Sequence, residues 1–115
     1  MSEFHFDIQK NCESLSIDRN IYLRILDKAI QQTTLDIQQL RESLAQSDME
    51  KIQSISHRLK GDYANLRIDD LSTIAKGIND ISKSEKDPVR LEQLFQDLNK
   101  KFHVLINMVE KLKQN

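Results

Sequence analysis

From Asp18 onward, apolar residues return at steps of three and four: Tyr22, Leu26, Ala29, Ile30, Thr33, Ile37, Leu40 and Leu44. This spacing predicts a long helix with one buried face, Asp18 as its N-cap, and a weaker point at β-branched Thr33 and Thr34 where it can bend. A second helix is expected from Ser47 or Asp48 as N-cap, with Ile52, Ile55, Leu59, Tyr63 and Leu66 as its apolar stripe. Asp69 or Asp70 is expected to cap a third, which turns Leu71, Ile74, Ala75, Ile78 and Ile81 inward and ends near Ser82. The polar run SKSEKDP is the clearest connection, because Asp87 followed by Pro88 supplies both a cap and a residue suited to the first helical position. The last helix then carries Leu91, Leu94, Phe95, Leu98, Phe102, Leu105, Val109 and Leu112 at near-heptad spacing.

Four amphipathic helices with short links bury their stripes best as an antiparallel up-down-up-down bundle, so the fold class expected is all-α. Residues Phe4 to Ser14 are expected to add a short helix that covers one end of the core through Phe4, Phe6, Ile8 and Leu15. Residues 1–17 then form a cap segment on a bundle of 18–115, one domain in all. Two glycines, one proline and two tyrosines leave few signals for hairpins, and 115 residues suffice for one core without disulfides or metal.

Seventeen basic residues against eighteen acidic ones give a formal charge of -1, which offers no global attraction to nucleic acid or anionic membrane. The lone Cys12 forms no internal disulfide and fits a cytoplasmic location. The amino-terminal stretch lacks the basic start and apolar run of a signal peptide, and no segment approaches the roughly 18 apolar residues of a membrane span. No Glu-x-x-His pair and no zinc-like Cys/His spacing points to a metal. No direct membrane contact and no metal are expected, and a monomer is the simplest state if all four stripes are internal.

Among three histidines, helical geometry separates His57. It points roughly 150° away from the mean direction of the second helix's apolar stripe, so its ring should face solvent. Gln53, Gly61 and Ala64 share the outward stripe, and Gly61 and Ala64 leave it low and open. Glycine inside a helix costs about 1 kcal/mol relative to alanine, so Gly61 invites a reason such as close approach of another surface. Lys60, three residues on, is near enough to balance a charge held on the imidazole. Imidazole is nucleophilic and substantially unprotonated near neutral pH, and phosphoryl transfer depends mainly on positioning and charge neutralisation. His103, beside Phe102, lacks such a setting and is expected to be partly buried and structural. His5 is given no role.

The run His57-Arg58-Leu59-Lys60-Gly61, followed by Leu66, resembles the His-x-Leu-Lys-Gly signature of histidine-containing phosphotransfer (HPt) domains. The flanking IYLRILDKAIQQTTLDIQQLRESLAQSDMEKIQSIS and LSTIAKGI are similar to that family's neighbouring helices, so the likeness covers most of residues 18 to 112. The resemblance implies that His57 is the phosphoacceptor at Nε2, that Lys60 supports the phosphorylated state, and that Gly61 leaves the ring accessible. It implies as partners the receiver domains of response regulators or of a hybrid histidine kinase. These would supply Mg2+, so this chain needs no cofactor, and no autokinase activity is expected, in keeping with the lack of a glycine-rich nucleotide loop. Gln53, Arg58, Ala64 and Arg67 are the residues expected to touch the partner. The chain would be free-standing or the carboxyl-terminal, cytoplasmic module of a membrane-anchored hybrid sensor kinase. Three positions depart from the family pattern. Asp62 and Tyr63 stand where small residues are usual, and Arg67 where glycine is common. Asp62 is expected to repel a phosphoryl group or an acidic pocket and Arg67 to attract one. A left-handed backbone at Arg67 would carry strain of roughly 1 kcal/mol. The alternative is a silent bundle that docks a receiver without transfer.

Overall fold

The computed structural model describes residues 4–114. Five helices follow one another: α1 (Ile8–Leu15), α2 (Arg19–Ala45), α3 (Met49–Asn65), α4 (Asp69–Lys83) and α5 (Pro88–Lys113). α2 packs on α3, α3 on α4, α4 on α5 and α5 back on α2, which makes the expected four-helix bundle, while α1 lies against α2. At 1.5 Å per residue α2 is about 40 Å long, and the molecule's longest dimension is 42 Å.

Three of the predicted caps are in place. Asp18 accepts from the Ile21 N–H at 2.9 Å, Asp48 from Lys51 at 3.2 Å and Asp87 from Val89 at 3.0 Å. The fourth is different. α4 starts behind Ile68, with no side-chain cap, and Asp69 and Asp70 occupy its first turn. The reason lies in the turn before it, where Ile68 is fully buried and its N–H closes back on the Tyr63 carbonyl at 2.9 Å. Core burial thus takes the cap position, and the two carboxylates serve the positive end of the helix dipole from inside the helix.

The amino-terminal helix is shorter than expected. Asp7 caps it by accepting from Lys10, and Phe4 and Phe6 precede the helix. Phe4, Phe6, Ile8 and Leu15 nevertheless pack on the core as predicted, Phe6 with its ring stacked on Tyr22 at 6.4 Å. α2 runs unbroken through Thr33 and Thr34, whose hydroxyls donate back to the Ala29 and Ile30 carbonyls. All the stripe residues of α3 and α4 named from the sequence are buried. His103 is a correction: it lies exposed on α5, its ring only edge-on to Phe102 at 6.1 Å.

No helix among the described residues is long and apolar enough to cross a membrane, and they hold no group of His, Cys, Asp and Glu arranged for a metal.

Candidate functional site

His57 lies in the middle of α3, and the α3–α4 contact holds that stretch of helix from behind. The Gln53 carbonyl, four residues before His57, accepts from Asn79 Nδ2 at 2.9 Å, and the Lys60 carbonyl, three residues after it, accepts from Ser72 Oγ at 2.9 Å. Asn79 Nδ2 also donates to buried Ser56 Oγ at 3.2 Å, while Gln53 Nε2 donates to the Ser82 carbonyl at 3.1 Å. Buried polar groups satisfied in this way fix one register between the helices. The histidine's backbone is therefore clamped while its side chain is free: the ring is exposed, and no hydrogen bond holds it among the described residues.

Gly61, one turn on, is α-helical, and a Cβ built on it would meet nothing within 4 Å. Tight helix packing is thus not what the glycine serves. Ala64, the next turn along, is exposed. These two and His57 form the low strip expected from the sequence. Gln53 does not join it in the open, because it is half-buried and its amide is committed to α4.

The two flanks of the strip differ in charge. Toward α4, Lys60 is half-buried, and with Lys76 and Lys83 it acts on Asp80. The Asp80 carboxyl is held below its usual range first by a 2.8 Å hydrogen bond from Lys76 and then by these cations. Toward α2, Arg58 reaches across to Asp36, a fully buried carboxylate, through its Nη2. Gln32 Nε2 also donates to that oxygen at 3.1 Å, and the other, Asp36 Oδ2, has no hydrogen-bond partner among the described residues. Asp62 is half-buried nearby. Burial pushes its carboxyl pKa up, the Asp36 charge adds to this, and Arg58 opposes it.

Asp36 was not singled out from the sequence, although a signal existed. It falls three residues after Thr33 and four before Leu40, on the buried side of α2. A carboxylate there requires a partner, and Arg58 is that partner. Tyr63 points inward, fully buried, with its hydroxyl 2.5 Å from Thr33 Oγ1, and burial raises its pKa. It therefore has no place on the histidine's surface.

Arg67 has the left-handed backbone that the missing glycine suggested, with φ of 64°. Its own N–H closes on the Ala64 carbonyl and its side chain donates to Ser14 Oγ at 3.0 Å and to the Ala64 carbonyl at 3.1 Å. The arginine thus finishes α3 and ties it to α1. Tyr22 works at the same end: its hydroxyl donates to the Leu66 carbonyl at 2.7 Å and accepts from Asn11, and burial pushes its pKa up to about 12.

An exposed, clamped imidazole on an open strip can take a group from a flat partner surface. Comparison with known proteins agrees in kind. The crystal structure of histidine-containing phosphotransfer protein B (HptB) from Pseudomonas aeruginosa PAO1 superposes with a TM-score of 0.84 at 17% identity, over 98% of this chain and 97% of that one, and so shares its fold. No curated protein sequence matches the chain. The Hpt domain family matches residues 24–115, the whole bundle from early α2 onward, and this chain belongs to that family of histidine-phosphotransfer modules.

Proposed function

We propose that His57 accepts a phosphoryl group from the aspartyl phosphate of one receiver domain and passes it to the aspartate of another. What chiefly supports this is the exposed His57 ring beside Gly61, where an added Cβ would meet nothing within 4 Å. In the forward step the Nε2 lone pair attacks phosphorus, a P–N bond forms, and the P–O bond to the aspartate breaks, its electron pair leaving on the carboxylate. The second transfer reverses these events on the next receiver. The receiver would bring Mg2+; no residue of this chain is assigned to it. Lys60 would offset the phosphoryl charge from the α4 flank, and Gly61 and Ala64 would let the receiver surface lie flat.

The features that would favour silent docking are Asp62 and Arg67. Asp62 sits about 140° round the helix from His57, and Arg67 is occupied with Ser14 and the end of α3. Neither blocks the strip, so transfer is the better reading. It goes with a monomeric carrier in the cytoplasm. Incubation with a phosphorylated receiver should label the chain with acid-labile, alkali-stable phosphate, and His57→Gln should remove the label; a variant that still labels would overturn the assignment.

A further inference from the structure

Beside the histidine strip, α3, α2, the end of α1 and the link between α1 and α2 line an open cleft of about 520 Å³. Ile17, Ile25, Ala29 and Leu66 give it apolar walls, and Asp62 lines it as its one carboxylate. Ile25 is 46% exposed and so leaves apolar surface open at the cleft. Lys28 lines the same cleft but makes no ion pair with Asp62 among the described residues. Arg58, the cation that does act on Asp62, is committed to Asp36. Two carboxylates, one buried and one half-buried, therefore share a single guanidinium, and Asp62, on the cleft wall, has no ion-pair partner of its own among the described residues.

We propose that this cleft is a selectivity subsite of the receiver-docking face and takes a lysine or arginine side chain of the partner. The aliphatic stem would lie along Ile17, Ile25, Ala29 and Leu66, as long cationic side chains do on apolar surface, with the charged head at Asp62. Gly61 and Asn65, at about 40° and 80° round α3 from His57, make the surface continuous from the phosphoacceptor to Asp62. The opposite flank carries Lys60 and Lys83 beside the Lys76–Asp80 ion pair, a net positive charge. A receiver whose acidic pocket lies over His57 and whose cation lies toward α2 matches both flanks in one orientation only. Asp62, a departure from the family pattern, thereby chooses the partner. It contributes no chemistry to the transfer.

This inference rests on the phosphotransfer reading, and one experiment separates them. The probe is the receiver that labels His57 fastest when the source organism's receivers are each charged with acetyl phosphate. Initial rates give KM for that charged receiver and kcat. Asp62→Asn should raise KM about fivefold and Asp62→Lys more than about tenfold at low salt, with kcat little changed and the difference shrinking as salt rises. Glu110→Lys, the same change in net charge on exposed α5, should stay within about twofold. An acidic residue in place of the receiver's facing cation should restore much of the Asp62→Lys loss. A KM for both Asp62 variants within about twofold of wild type, with the wild type labelled normally, overturns the subsite and leaves the transfer reading standing. A wild type that no receiver labels removes that reading and the subsite with it. Methyl signals of Ile17 and Ile25 that shift on concentrating the chain alone would assign the cleft to a second copy and overturn the proposal.

Discussion

Replacing Gly61 by alanine is expected to make the chain more stable and a poorer carrier at once. The backbone there is ordinary helix, and the new Cβ meets no atom within 4 Å. The stability change is therefore the propensity difference alone, about 1 kcal/mol in favour of alanine. With an unfolding entropy of about 2.1 cal/mol/K per residue, that gain raises the melting temperature of a 115-residue chain by about 4 °C. Thermal unfolding followed by circular dichroism reads the shift. The same methyl stands one turn from the His57 ring, on the side a partner must approach, so transfer from a charged receiver should slow severalfold, and Gly61→Leu should slow it by more than about tenfold. Gly77→Ala is the internal control. Its Cβ would make ordinary contact with Leu94 Cδ1 at 3.4 Å, at the α4–α5 contact, so transfer should be untouched. A Gly61→Ala variant that melts no higher than wild type would refute the local reading of the helix. One that melts higher and transfers as fast would show that the glycine does not serve access to the ring.

Arg58→Ala should destabilise the chain by about 2–3 kcal/mol in urea unfolding, since it strands the buried Asp36 carboxylate while losing a partner that is itself half-exposed; Asp36→Leu with Arg58→Met should recover most of this, and equal losses in the single and double variants would contradict it. At Arg67, glycine should be more stable than alanine by about 1 kcal/mol because both lose the side-chain hydrogen bonds but only glycine relieves the left-handed backbone; an alanine variant as stable as the glycine one would count against that conformation. The folded chain binds the Asp62 proton more tightly than the unfolded chain does, so ionising this carboxylate reduces stability as pH rises through its folded pKa. Asp62→Asn should accordingly be more stable than wild type at pH 7, with the gap closing below about pH 4; a gap that widens on acidification would reverse the sign and rule out burial as the cause.

The helices were legible because their signals are local. The 3.6-residue stripes and the caps Asp18, Asp48 and Asp87 depend only on neighbouring residues, and all three caps form. The turn between α3 and α4 was misread because its geometry is set by the core, which buries Ile68 where a polar cap was expected. The turns also hid their handedness. Ser16, Ser47, Arg67 and Lys86 take positive φ, while neither glycine does. Glycine therefore marks something other than turns in this chain, and at Gly61 that something is open space.

For the site, helical angle alone brought out His57, Gly61 and Ala64, and the structure keeps them together on one strip. The residues that clamp or polarise the strip come from other helices: Asn79 and Ser72 hold α3 through its carbonyls, and Asp36 claims Arg58. Such contacts join positions 12 to 26 residues apart, beyond the reach of periodicity. Arg58, expected at the partner's surface, is thus first an internal counter-ion, and Gln53 is first a link to α4.

The most direct measurement is phosphate transfer to the purified chain from a receiver charged with acetyl phosphate, followed by mapping of the labelled residue. A single phosphohistidine at His57, stable to alkali, labile to acid and lost in His57→Gln, is the result the account predicts. Label at His5 or His103, label that persists in His57→Gln, or no transfer from any receiver of the source organism would contradict it.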